Sequence, residues 1–205
     1  MQRDEKSGRS HRAVLDAALK LFSRRGYRAT TVREIADTAG VSTGSVYHHF
    51  PDKESILRTL LDEYREIVIG PRFPIARALT TGIFPDNLEH FGFAIRDSVR
   101  QYRAYMALHY VDVIEFDGTH IRDFYRSIAA RFAELAGGSS TGDHIKMHLR
   151  RGVSPTAALL VATRLFVQYF QMEILFGVPD PHGRDSSQVV KEIADILRNG
   201  LAEQG

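Results

Sequence analysis

Residues 29–57 read ATTVREIADTAGVSTGSVYHHFPDKESIL. Thr31 followed by Glu34 has the form of a capping box, in which each side chain satisfies the other residue's backbone N–H at a helix start. Val32, Ile35, Ala36 and Ala39 then share one face until Gly40, which predicts a helix of about two turns. Ser42 predicts the cap of a second short helix over 43–49, with Val46 and Phe50 turned inward and Pro51 ending it. Two short helices joined by a glycine-containing turn are the helix-turn-helix arrangement, whose second helix enters the major groove of DNA. Ala36 is small where the helices cross, Gly40 allows a left-handed turn residue, and Val41 and Val46 pin the second helix to the first. The outward face is then Thr43, Gly44, Ser45, Tyr47 and His48. It offers short donors and acceptors, a glycine that admits close backbone approach, and a phenol that reaches a phosphate. On spacing alone, a plain helical corner accounts for the pattern equally well.

Working outward, Val14, Leu15, Ala18, Leu19 and Phe22 form one stripe of a helix over about 8–25, ended by Gly26. Asp52 predicts the cap of a helix carrying Ile56, Leu57, Leu60, Leu61, Tyr64 and Val68, broken at Gly70-Pro71 and Pro74. Asp86 with Glu89 repeats the box signature and opens a helical stretch to Val113 with a bend near Arg100. A helix over 119–135 precedes the Gly137-Gly138-Ser139-Ser140 loop. Residues 155–176 are apolar on nearly every face, which requires cover from more than one side. Residues 186–201 carry the stripe Val189, Val190, Ile193, Ile196, Leu197 and Leu201. No strand-like alternation is present. The fold class expected is all-α, with about nine helices.

The 205 residues are 43% hydrophobic and 25% charged, which fits one or two globular domains and excludes a disordered or collagen-like chain. The absence of cysteine excludes disulfide frameworks, thiolate metal sites and cysteine nucleophiles. The polar start MQRDEKSGRSHR is no secretory signal, and the longest uncharged apolar run, Gly152 to Thr163, is shorter than the roughly 20 residues that span a bilayer. A cytoplasmic chain without a membrane partner is the expectation. Residues 1–50 hold nine Lys or Arg against five Asp or Glu, while the remainder holds eighteen against twenty. That asymmetry points to a nucleic-acid-facing N-terminus.

The 29–57 string resembles the DNA-binding motif of the TetR family of transcriptional regulators, through Thr31, Ile35, Ala36, Ala39-Gly40-Val41-Ser42, Gly44, Tyr47, Phe50 and Lys53. With Phe22 and Gly26-Tyr27, the resemblance covers about residues 9–66. It implies a helix-turn-helix domain over 1–52, with its recognition helix at 43–49, and a larger helical effector-binding and dimerisation domain over 53–205. It further implies a homodimer on a near-palindromic operator, usually a repressor released by a small effector. Thr31, Arg33, Thr43, Ser45 and His48 would read bases or phosphates, and Tyr47 and Lys53 would hold the backbone. Residues 155–176 and 186–201 match the family's dimerisation helices, which makes Leu159, Ala162, Phe166, Val189, Ile193, Ile196 and Leu197 the expected interface. A ligand-dependent activator, or a helical dimer that binds a ligand or partner without reading DNA, are the alternatives.

Tyr102, Tyr105, Met106, His109 and Val113 recur at helical spacing, and Phe124, Ile128, Tyr169 and Phe170 are candidates to complete a pocket for a small hydrophobic or aromatic effector. Ordinary core packing explains each of them as well. His144 with His148, and His109 with Asp112, have spacings possible for zinc or nickel. A solvated helix flank and a core imidazole are the simpler readings, so no metal or other cofactor is assigned. No HExxH, GxGxxG, Walker or GxSxG motif is present, and the chain is not expected to be an enzyme.

Overall fold

The computed structural model describes residues 2–80, 83–137, 140–180 and 182–201, which form eleven α-helices and, among the described residues, no strand. The chain divides into two units, residues 1–66 with 104–124 and residues 67–103 with 125–205.

In the first unit, α1 (Gln2–Arg25), α2 (Val32–Ala39), α3 (Thr43–His49) and the start of α4 (Lys53–Ile69) close around Val14, Ala18, Phe22, Ile35, Val46, Ile56, Leu57 and Leu60. The expected helix from residue 8 starts six residues earlier, because Gln, Arg, Glu and Lys are good helix formers that need no apolar stripe. The Thr31 capping box forms in both directions, and Ser42 Oγ accepts from the Ser45 N–H at 3.1 Å. Asp52 Oδ1 accepts from the Ser55 N–H at 2.7 Å.

Residues 104–124 join the same unit. In α7 (Arg103–Phe116), Leu108 is fully buried in the core formed by α1 to α4. Asp112, also fully buried, accepts through Oδ2 from the backbone N–H groups of His120 and Ile121, at 3.0 and 2.9 Å. Its Oδ1 lies 2.6 Å from His120 Nδ1. A carboxylate on one helix thus satisfies the open N–H groups at the start of the next, α8 (Thr119–Ala136).

The second unit is built on α6 (Leu88–Gln101), which packs against α5 (Pro74–Thr80), α10 (Pro155–Phe170) and α11 (Ser186–Leu201). Gly92 permits the α10 and α11 contacts, since a Cβ there would lie 2.7 Å from Phe166 and 2.9 Å from Val190. Two helices go beyond the expected count of about nine. Pro74, read as a break, is the first residue of α5. The other, α9 (Ser140–His148), has a weak stripe, with Ile145 inward. The Asp86–Glu89 box does not form; α6 starts after Asn87, whose side-chain amide donates to Ala78 O instead.

The apolar segment over 155–176 divides into α10 and a π-helical turn, Gln171–Leu175. By length and composition, Pro155–Leu175 is sufficient to cross a membrane, yet Ala158, Leu159, Ala162, Phe166 and Phe170 are buried in the unit's own core. This corrects the expected interface. Leu159, Ala162, Phe166, Val189 and Leu197 all face inward, Ile193 is half-buried, and Ile196 is exposed. The apolar side chains that do face outward are Val161, Leu165, Met172, Phe176 and Val178. The connection into α11 is organised by Asp180, which accepts from Tyr169 Oη at 3.0 Å, from Arg184 Nε and Nη2, and from two backbone N–H groups. These bonds hold its carboxyl well below the usual range, and burial together with Asp180 pushes the Tyr169 hydroxyl up to about 12.

Burial holds the His109 imidazole down at about 4, against a weaker opposing effect of Asp112. Unfolded, it titrates near 6.5. Between these values the unfolded chain binds more protons, so this contribution to stability is complete above pH 6.5 and is lost as pH falls toward 4. From pH 6.5 to 4 the wild type is expected to lose about 3 kcal/mol more than His109→Phe in denaturant unfolding. Equal losses would show that His109 does not titrate differently on folding.

Candidate nucleic-acid interface

The turn between α2 and α3 is set by Gly40, at φ 68° and ψ 32°. The Val41 N–H donates to Ala36 O at 3.0 Å and the Gly40 N–H to Asp37 O at 3.3 Å, the paired bonds of a Schellman ending. Val46 is fully buried and Phe50 nearly so, which fixes the rotation of α3 about its axis. Thr43, Gly44, Tyr47 and His48 consequently face solvent as one continuous strip, with Arg33 exposed on α2.

Three expected DNA contacts have internal partners. Ser45 is half-buried, with its Oγ 3.0 Å from Ser10 Oγ on α1. The Thr31 hydroxyl serves the cap, accepting from the Glu34 N–H and donating to Glu34 Oε2. Lys53 Nζ donates to the carbonyls of Tyr27 and Thr30, both at 2.8 Å, and sits 4.1 Å over the Tyr27 ring. Burial lowers the pKa of this ammonium. It closes the α1–α2 loop, leaving one N–H of three for a phosphate oxygen.

The first turns of α1 also lie beside the recognition helix, which sequence reasoning missed. His11 stacks on Phe50 at 4.8 Å and meets His49 edge-on at 5.5 Å. The available signal was positional: Ser10 and His11 lie four and three residues before the buried Val14.

The expected pocket residues fall in both units: Tyr105, Met106, His109 and Phe124 in the first, Tyr102, Ile128, Tyr169 and Phe170 in the second. Tyr64 stacks between Tyr105 and Phe124, at 5.3 and 5.4 Å. The Tyr105 hydroxyl donates to Glu63 Oε2 at 3.1 Å, and burial with that carboxylate pushes it up to about 12. His109 and Phe124 line a cavity of about 20 Å³ with His120, Asp123, Arg65, Asp62 and Leu61. That volume admits one water and is far below an effector-sized pocket. Val113 is exposed, outside the expected apolar face. Tyr102 contacts Phe73, and Phe170 is fully buried in core. Among the described residues, no three His, Asp or Glu side chains form a metal-ligand set. His148 Nδ1 lies 2.8 Å from its own helix's His144 carbonyl.

Residues 14–60 match the family described as bacterial regulatory proteins, tetR family. Over these residues the chain is similar to the TetR family of transcriptional regulators. It is 45% identical over 111 residues to the HTH-type transcriptional repressor KstR2 of Rhodococcus jostii, an alignment covering 47% of this chain and 54% of that protein. The chain thus spans about half the length of this curated relative. The solved ketosteroid transcriptional regulator KstR2 of Mycobacterium tuberculosis superposes with TM-score 0.57 at 20% identity, covering 95% of both chains. The fatty acid degradation regulator FadR of Bacillus halodurans superposes with TM-score 0.69 at 16% identity, covering 95% of this chain and 97% of that one. These superpositions establish a shared fold. The proteins that the chain matches are described as transcriptional regulators and repressors rather than as enzymes.

Lys53→Met keeps the chain length and removes the bonds to Tyr27 and Thr30. It is expected to cost about 1–3 kcal/mol in denaturant unfolding, whereas Tyr47→Phe, on the exposed strip, should stay within about 0.5 kcal/mol of wild type. Equal stabilities for the two variants would show that the Lys53 tie contributes nothing.

Proposed function

We propose that this protein is a homodimeric, cytoplasmic transcriptional repressor that reads a near-palindromic operator and is released by a small hydrophobic effector. The observation that carries the DNA-reading half is the exposed strip Thr43, Gly44, Tyr47 and His48, held outward by the buried Val46 and the Gly40 turn. These side chains suit base edges and phosphates, and residues 14–60, which contain them, match the family described as bacterial regulatory proteins, tetR family. Thr31, Arg33, Ser45 and Lys53 flank the strip; the exposed Arg33 suits a phosphate contact, and Thr31, Ser45 and Lys53 hold the strip's support in place.

Dimerisation is supported by apolar side chains that the second unit leaves in water, with Val161 and Leu165 on α10 and Ile196 on α11. Such side chains favour a partner surface, and two-fold pairing brings two recognition helices onto half-sites about 34 Å apart. The division at residue 52 into a reading domain and an effector and dimerisation domain belongs to this proposal. So does an effector of hydrophobic character: two solved structures of similar fold are described as a ketosteroid transcriptional regulator and a fatty acid degradation regulator.

Selection of binding sites from a random duplex pool by the purified protein tests the reading. An enriched two-fold site, with affinity falling steeply as salt rises, is expected; no enrichment by ligand-free, refolded protein would refute DNA reading. Leu165→Glu with Ile196→Glu is expected to convert a dimer to a monomer in sedimentation equilibrium. A dimer of unchanged affinity would remove these residues from the interface.

A further inference from the structure

Three arginines among the first fifty residues are neutralised by carboxylates: Arg12 by Glu63 and Asp16, Arg25 by Glu34, and Arg28 by Glu115. Lys6 and Arg9 are different. Both are exposed, and neither has a carboxylate partner among the described residues; Arg9 Nε reaches only the Glu5 carbonyl, at 3.4 Å. They stand on turns of α1 that the fold does not use, since the first buried residue of the helix is Val14 and space is open around Gly8. Polar turns without packing are marginal on their own, so their charge is what they offer.

Their position is fixed by two contacts to the recognition helix. Ser10 Oγ lies 3.0 Å from Ser45 Oγ, and His11 packs on Phe50 and His49. Lys6 lies four residues before Ser10 and three before Arg9, so the two cations share the flank of α1 that continues past this junction. A pair of unneutralised cations continuous with a groove-reading helix is complementary to a run of backbone phosphates.

We propose that the first turns of α1 form a second DNA-contact element, in which Lys6 and Arg9 hold the phosphate backbone beside the groove that α3 enters. The element rests on the reading of α3 given above. It supplies affinity and alignment without base discrimination, and Ser10 and His11 act as positioning residues between it and α3.

The test compares the double variant Lys6→Gln, Arg9→Gln with Lys20→Gln, Arg24→Gln, which removes two exposed cations from the other end of the same helix. The probes are the duplex that wild type enriches from a random pool and an unrelated duplex of equal length, each titrated across a salt series. The first variant is expected to lower the magnitude of the salt slope by about four units, two for each protomer of the dimer, and to weaken both duplexes equally, by roughly 10³- to 10⁴-fold at 0.1 M salt. The second should match wild type. A first variant that binds with wild-type slope, or that selects a different sequence, overturns the backbone assignment while the reading of α3 stands. If wild type enriches no duplex, the reading of α3 fails and this element fails with it.

Discussion

The rotation of one seven-residue helix about its own axis decides which side chains of the helix-turn-helix face solvent. A helix as short as α3 has no stability of its own, so its orientation is imposed by what it packs on. Val46 and Phe50 supply the inward contacts, and the left-handed residue at Gly40 lets the chain reverse while its N–H groups still bond to α2. Any residue with a Cβ would strain that turn. Everything on the outer strip follows from these contacts, including the inward half-turn of Ser45 toward Ser10.

The support beneath this unit comes from far along the chain. Leu108 lies in the core built by residues 14–61, and around it α7 makes three polar or aromatic connections. Tyr105 donates to Glu63, which pairs with Arg12; Phe116 packs on Tyr27 at 5.2 Å; and Glu115 pairs with Arg28. Tyr27 is also the residue whose carbonyl and ring hold Lys53. The loop that leads into α2 is therefore held from both α4 and α7. A shift of α7 would be felt at Thr31, the first residue of the helix-turn-helix, through backbone bonds rather than through soft packing alone.

The legibility of the sequence follows the range of the interaction concerned. The helix-turn-helix was readable because its determinants are local: the Thr31–Glu34 box, Gly40, Ser42 and Asp52 act within four residues, and each forms as its spacing predicts. Periodicity gave the stripes of α1, α4, α10 and α11. It does not say which apolar face meets the chain's own core and which meets solvent, so it predicts an interface role for Phe166, which Gly92 instead lets α6 pack against. The expected pocket aromatics show the same dependence on range. An aromatic at helical spacing packs on whatever tertiary partner it finds, and Tyr105 and Phe124 find Tyr64. The roles of Ser10, Lys53 and Asp112 depend on partners 35, 26 and 8 residues away, across turns that no local rule fixes.

The segment from α10 into α11 shows how one sequence serves two surfaces. Its small residues Ala158 and Ala162 admit close approach on the inner side, where Phe166 and Phe170 fill the space beside α6. On the outer side Val161 and Leu165 remain in water, an arrangement that a monomer stabilises in no way and that a partner surface would relieve. The π turn over Gln171–Leu175 and the Asp180 carboxylate beyond it then fix how the chain turns back. Asp180 binds Tyr169 before the turn and Arg184 after it, and Arg184 also pairs with Glu192 on α11. A connection tied at both ends by a charged, hydrogen-bonded hub sets where Ile196 emerges relative to Leu165. The outward apolar strip is thus a property of the connection as much as of the helices.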